Sequence, residues 1–86
     1  LMGLSAALGE AITLKDGRVQ QRNFTDYPIL RLAQTPAIEV HFLESDGPLG
    51  GLGEVGLPPV APALAQAWGQ LTGQTIRRLP LVPAVA

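Results

Sequence analysis

Residues 50–62 read GGLGEVGLPPVAP, so that four glycines and three prolines surround one carboxylate, Glu54. Glycine permits positive φ and lets other atoms approach the backbone closely. Proline fixes φ and is tolerated in a helix within its first turn. The stretch therefore predicts a tight loop that presents Glu54 and leads directly into a helix. No acidic residue follows Glu54 in the chain, and Glu54 is the only ionisable group of the stretch.

The helix predicted after this loop spans residues 59–71. Pro59 and Pro62 lie in its first turn, where a missing amide N–H costs little. Gly73 is suited to end the helix in the left-handed conformation. The apolar stripe expected along this helix comprises Leu64, Trp68 and Leu71.

A second helix is predicted at residues 1–11. Its leucines recur at the spacing of one helix face, and its small residues allow another helix to approach closely. The leucines are Leu1, Leu4 and Leu8, and the small residues are Gly3, Ala6 and Ala7. Because the pattern begins without an N-capping residue, we expect the chain to be a segment of a longer protein.

Three strand patterns accompany the helices. Asp16-Gly17 lies between two short β-prone runs, residues 12–14 and 18–20, and is typical of a hairpin turn. Residues 37–44 alternate apolar and polar side chains and form the clearest strand pattern. Residues 75–80 predict a last strand that Pro80 ends.

The remaining segments carry weaker patterns. The single histidine, His41, lacks the Cys or second His of a typical zinc site, so we expect it to contact a polar partner on a neighbouring strand. Residues 21–36 predict irregular extended chain, in which Tyr27 and Arg31 either line a pocket or lie on the surface. Residues 82–86 predict a disordered tail.

The composition is apolar for a chain of 86 residues: 47% of residues are hydrophobic, 15% are charged, and the mean hydropathy is +0.24. Charged residues usually approach about a quarter of a soluble domain. No apolar run reaches the roughly 18 residues of a membrane-spanning helix, so we expect the excess apolar surface to pack against protein. A net charge of −1 without a basic stripe argues against nucleic-acid binding. The absence of cysteine excludes disulfides, thiolate zinc sites and iron–sulfur ligation within these residues.

Residues 51–56 also match the spacing G-x-G-x-x-G. A dinucleotide site requires a strand that leads directly into the turn and an acidic residue about twenty positions later. Here residues 46–49 intervene, and residues 76–78 contain no acid. Neither a dinucleotide site nor a phosphate-binding P-loop is predicted. From spacing alone, Glu54 in a rigid turn is either solvated or caps the following helix.

The stretch resembles the C-terminal motif of the molybdenum hydroxylases, the xanthine dehydrogenase and aldehyde oxidase family. It is most similar to the large subunit of the isoquinoline 1-oxidoreductase type. In that family G-x-G-E-x-G-x-P-P precedes an alanine-rich helix and a T-G-x-x-I-R-x-L-P ending, which residues 72–80 match. Residues 23–28, NFTDYP, resemble an upstream segment of the same family.

The resemblance implies an α+β fold in which residues 1–86 are the C-terminal part of a molybdopterin-binding domain and do not fold alone. It implies a molybdenum-dependent oxidoreductase that oxidises aldehydes or hydroxylates N-heteroaromatic compounds with oxygen from water. Glu54 is then the catalytic general base, and Gly51 and Gly53 approach the cofactor through their backbone. No residue of the chain is expected to ligate the metal.

The resemblance also implies molybdopterin, in its cytosine dinucleotide form, with molybdenum, and [2Fe-2S] clusters on a partner subunit. The implied partners are the remainder of the large subunit, the iron–sulfur subunit and a cytochrome c acceptor. The implied location is the bacterial periplasm or cytoplasm, with the periplasm favoured. The competing hypothesis is a non-enzymatic α+β interaction module that docks through its apolar helix faces and needs no cofactor.

Overall fold

The computed structural model describes residues 1–81, and the tail predicted at residues 82–86 lies outside them. Within these residues, two helices pack against each other, and a short hairpin forms the two-stranded sheet. The elements are, in order, α1 (Met2–Gly9), β1 (Leu14–Lys15), β2 (Arg18–Val19), a 3-10 turn (Leu32–Gln34) and α2 (Val60–Thr72). Neither helix is long and apolar enough to cross a membrane.

The first helix is confirmed over Met2–Gly9, a shorter range than the predicted residues 1–11. Its predicted faces are confirmed in part: Leu4 and Leu8 are half-buried, whereas Leu1 is exposed. Ser5 and Ala7 are buried, while Ala6 is exposed. A Cβ added at Gly3 would lie 3.0 Å from Cγ2 of Val60, the first residue of α2. α1 and α2 therefore approach each other closely at Gly3, where a side chain has little room.

The hairpin is confirmed at the predicted turn. Leu14 pairs with Val19 and Lys15 with Arg18 in antiparallel register. The turn residues Asp16 and Gly17 have φ values of 51° and 73°. Positive φ at both central residues defines a type I′ turn, whose twist matches that of the strands.

The second helix spans Val60–Thr72, one residue later at each end than the predicted residues 59–71, and Gly73 ends it as predicted. Pro59 is its N-cap residue and Pro62 lies in its first turn. Gly73 has a φ of 74°, and its N–H donates a hydrogen bond of 2.8 Å to the carbonyl oxygen of Gly69. The left-handed conformation at Gly73 thus satisfies a carbonyl group at the end of the helix.

The predicted apolar stripe of α2 is wrong at two of its three members, Trp68 and Leu71, and holds at Leu64. Leu71 is 83% exposed, and Trp68 is 43% exposed. The half-buried face runs instead along Val60, Ala61, Leu64, Ala65 and Gly69. Because α1 has 8 residues and α2 has 13, α1 is too short to cover the full length of α2.

The strand predicted at residues 37–44 is wrong for the described chain, in which these residues have no ladder partner. The apolar members of the alternation are exposed: Ile38 by 58%, Val40 by 65% and Phe42 by 87%. Nε2 of His41 lies 3.7 Å from Oε2 of Glu39, which is two residues earlier on the same segment. The prediction that the polar partner of His41 lies on a neighbouring strand is therefore wrong. A strand acquires its hydrogen bonds from a neighbouring strand, and residues 1–81 supply none at this position.

The strand predicted at residues 75–80 is also wrong. Residues 78–81 bend, and the Leu81 N–H donates a hydrogen bond of 2.8 Å to the carbonyl oxygen of Ala7. The chain therefore returns to the end of α1 and does not join a sheet.

The described fold leaves most apolar surface open to solvent. The accessible area of the chain is 8007 Å², whereas a compact protein of this mass exposes about 4,900 Å². The radius of gyration is 16.4 Å, against about 12 Å for a compact chain of this length. Within the described residues, the buried hydrophobic core consists of Ala7.

Candidate functional site

The loop that carries Glu54 is joined to α2 by two short backbone turns. The N–H of Leu57 donates to the carbonyl oxygen of Glu54 at 3.2 Å, and the N–H of Val60 donates to the carbonyl oxygen of Leu57 at 3.3 Å. Pro58 and Pro59 are the two central residues of the second turn, and their rings fix φ there. A tight loop that leads directly into a helix is confirmed.

The side chain of Glu54 is exposed, and within residues 1–81 its carboxylate takes part in no hydrogen bond or ion pair. It does not cap the following helix, because α2 has neither a side-chain cap nor an acidic residue in its first turn. The spacing left Glu54 either solvated or capping the helix, and within the described residues Glu54 is solvated. The carboxylate oxygens are available to accept a proton.

The glycines beside Glu54 leave their backbone open. Neither Gly51 nor Gly53 has a positive φ, so the left-handed conformation does not require glycine at these positions. A Cβ added at either residue would meet no atom of the described chain within 4 Å. Their amide N–H groups donate no hydrogen bond within residues 1–81.

Apolar side chains flank the carboxylate on both sides in sequence. Leu52 is 80% exposed and Val55 is 66% exposed, and Leu49 is fully exposed. Sequence reasoning from glycine and proline alone missed this apolar flank, although Leu49 and Leu52, which lie among the glycines of residues 49–53, indicate it. A body that covers these side chains would exclude water from the surroundings of Glu54.

Two side-chain hydrogen bonds hold the irregular segment after the hairpin against α1. The Tyr27 hydroxyl donates to Oε2 of Glu10 at 2.9 Å, and the N–H of Leu30 donates to Oγ of Ser5 at 2.9 Å. The hydrogen bond to the Glu10 carboxylate, with a small contribution from burial and from the carboxylate charge, raises the pKa of Tyr27. The neutral Tyr27 hydroxyl thus donates to Glu10 and anchors the segment to the end of α1.

The two residues predicted to line a pocket or lie on the surface have different positions. Tyr27 lines an open depression together with Ile12 and Phe24. Arg31 precedes the 3-10 turn, where its N–H donates to Oε1 of Gln34 at 3.1 Å. Within residues 1–81, no three His, Cys, Asp or Glu side chains are grouped so that they could hold a metal ion.

No family model and no solved structure matches the chain, but curated relatives match it over nearly its whole length. The isoquinoline 1-oxidoreductase subunit beta of Brevundimonas diminuta is 43% identical over 86 residues, which is all of this chain and 11% of the relative. A membrane-bound aldehyde dehydrogenase of Gluconacetobacter polyoxogenes, whose name specifies pyrroloquinoline quinone, is 38% identical over 84 residues, 98% of this chain and 11% of the relative.

The xanthine dehydrogenase molybdenum-binding subunit of Escherichia coli O157:H7 is 35% identical over 89 residues, covering 95% of this chain and 12% of the relative. The chain therefore spans about one ninth of the length of the curated relatives that it matches.

Proposed function

The chain belongs, as one segment, to the large-subunit family of the molybdenum hydroxylases, and from this premise we propose that Glu54 is the general base of an oxidoreductase active site. The segment is proposed to be the C-terminal part of the α+β molybdopterin-binding domain. The proposed reaction oxidises an aldehyde or hydroxylates an N-heteroaromatic carbon with oxygen from water. The names of the relatives support the class of reaction, and the loop supports the role of Glu54.

The observation that carries the proposal is the isolated carboxylate of Glu54 on a turn that the following helix fixes. A general base must lie within hydrogen-bond reach of the proton that it removes. Because no hydrogen bond or ion pair within residues 1–81 occupies its oxygens, Glu54 is free to accept a proton from the water-derived oxygen that attacks the substrate carbon. Correct protonation and position of such a base contribute about 10²–10⁴-fold to a rate.

The residues beside Glu54 fit a cofactor that approaches the backbone. Gly51 and Gly53 have open space where a Cβ would project, and neither needs to be glycine for its φ. Their free amide groups can donate hydrogen bonds to the polar atoms of a pterin or of its phosphate. We propose that these two residues contact molybdopterin in its cytosine dinucleotide form, which when bound supplies a metal centre that accepts two electrons from the substrate.

The apolar flank of Glu54 favours an uncharged substrate. Leu52 and Val55 present hydrophobic surface next to the carboxylate, and such surface contacts an aldehyde or a heteroaromatic ring better than it contacts a charged compound. The mechanism then requires Glu54 to hold the transferred proton while these neighbours exclude bulk water. The water-excluded site also strengthens the electrostatic contacts of the carboxylate.

The proposed partners follow from the relatives. Names such as subunit beta indicate multi-subunit enzymes. We propose that this segment packs into the remainder of a large subunit, which assembles with a subunit that carries [2Fe-2S] clusters and passes electrons to a cytochrome c in the bacterial periplasm. The exposed apolar surface of the described residues supports packing into a larger body.

Analysis of cofactor and activity in the purified full-length complex tests this proposal. We expect about one molybdenum per large subunit, a pterin released on denaturation, and oxidation of an aldehyde or N-heteroaromatic compound. Because one relative is named for pyrroloquinoline quinone, the same sample is extracted for that quinone as a control. Quinone without molybdenum in an active complex would contradict the cofactor, and absence of both cofactors and of oxidation would favour the interaction module.

A further inference from the structure

Among the glycines of the described residues, Gly3 has the least room for a side chain, and it lies against the residues where the Glu54 loop meets α2. A Cβ added at Gly3 would lie 3.0 Å from Cγ2 of Val60, 3.1 Å from Cβ of Val60 and 3.1 Å from the carbonyl oxygen of Leu57. Ordinary contacts of a methyl carbon lie at about 3.5–4.0 Å. Gly3 is therefore the position at which α1 rests directly on the backbone of the loop.

The Leu57 carbonyl belongs to the bonds that shape the loop. It accepts the hydrogen bond from the N–H of Val60, and the N–H of Leu57 donates to the carbonyl oxygen of Glu54. A displacement of Leu57 thus changes both the first turn of α2 and the turn that presents Glu54. The two prolines between Leu57 and Val60 restrict the ways in which the backbone can absorb such a displacement.

We infer that Gly3 is a positioning residue for Glu54. Because Gly3 has no side chain, Leu57 can lie close to α1, and the hydrogen bond from Leu57 to Glu54 then fixes the turn that carries the base. The inference depends on the proposed role of Glu54 in catalysis. Gly3 lies 51 positions before Glu54 in the sequence and acts through Leu57. Its influence passes through packed backbone atoms, since α1 has no side-chain hydrogen bond to the loop.

Substitution of Gly3 with alanine adds one methyl group to a helix that favours alanine. Alanine has a higher helix propensity than glycine, so we do not expect a loss of activity to come from an unstable α1. Gly9 offers a matched control, because it ends the same helix and a Cβ there meets no atom within 4 Å. A third variant, Val60→Ala, removes Cγ2, the nearest atom to the added methyl group.

The test compares Gly3→Ala, Gly9→Ala and Gly3→Ala/Val60→Ala in the full-length holoenzyme. We expect Gly3→Ala to lower kcat roughly threefold to tenfold with KM nearly unchanged, because a shift of a few tenths of an ångström misplaces the base. Gly9→Ala should retain full kcat, and the double variant should recover part of the loss. Equal kcat in Gly3→Ala and Gly9→Ala overturns the inference.

Hydrogen exchange provides a readout that does not depend on turnover. The amide of Leu57 should exchange faster in Gly3→Ala than in Gly9→Ala, because its bond to Glu54 is loosened. Unchanged exchange at Leu57 overturns the inference even if kcat falls. A Glu54→Gln arm separates the two proposals: normal turnover in that variant refutes the role of Glu54, whereas low turnover there with normal Gly3→Ala refutes the role of Gly3 alone.

Discussion

The contact between α1 and α2 and the segment of residues 37–49 represent two extremes of the same chain. On α1, Ala7 is buried, and a Cβ added at Gly3 would lie 3.0 Å from Cγ2 of Val60 on α2. Along residues 37–49, side chains such as Phe42, Leu43 and Leu49 are 87% exposed or more. The first region obtains its partners within the described residues, and the second carries apolar surface without a partner there. We conclude that the chain holds a small organised junction and a larger surface suited to burial by other protein.

The largest expected effect concerns folding of the segment alone. The chain buries roughly 40% of the surface that it would expose when extended, whereas small autonomous domains bury about 60%. It therefore gains less free energy from hydrophobic burial than such a domain does. We predict that the isolated 86-residue chain shows no cooperative thermal transition by circular dichroism. The same residues within the full-length subunit should unfold cooperatively with it. A sigmoidal transition of the isolated chain would contradict the prediction.

The next effect concerns the alternation in residues 37–44. If the remainder of the subunit covers the apolar side of this segment, Phe42→Asp removes about 1.5–3 kcal/mol of burial and adds an unpaired charge. We predict loss of soluble, assembled complex for Phe42→Asp, measured by size-exclusion chromatography. His41→Asp, on the polar side of the segment, is the matched control and should assemble normally. Equal assembly of both variants would show that the segment stays exposed.

A smaller effect separates two glycines with different roles. Gly73 has a positive φ, so Gly73→Ala costs about 1 kcal/mol and should accelerate hydrogen exchange at the end of α2 about fivefold with turnover unchanged. Gly53 has no such constraint, so Gly53→Val should leave that exchange unchanged. If Gly53 approaches the cofactor, its valine variant should lower turnover by about tenfold or more. Normal turnover in Gly53→Val would remove Gly53 from the site.

Local rules predicted the elements whose partners lie nearby in sequence. The Asp16-Gly17 turn, the prolines that begin α2 and Gly73 that ends it each act within a few residues, and all are confirmed. The strands at residues 37–44 and 75–80 were wrong for the described chain because strand pairing depends on distant segments. Alternation records which side of a segment is apolar, but it does not identify the neighbour.

The site was predicted in part for the same reason. Residues 50–62 specify a tight loop before a helix, and the structure confirms it. The closeness of Gly3 to Leu57 was not predictable, since no spacing rule connects α1 to a loop fifty positions later. The roles of Glu54, Gly51 and Gly53 remain predictions, because they depend on atoms that a cofactor and the rest of the subunit contribute.

The most direct measurement of the central claim is single-turnover reduction of the molybdenum centre by substrate in Glu54→Gln, followed by absorbance. Glutamine keeps the size of the side chain and removes its proton-accepting charge. We predict a rate at least about 10²-fold slower than wild type, with molybdenum content and assembly unchanged. Asp46→Asn, which neutralises another exposed carboxylate near the loop, should reduce at the wild-type rate. Near-normal reduction in molybdenum-replete Glu54→Gln would contradict the assignment of Glu54 as the base.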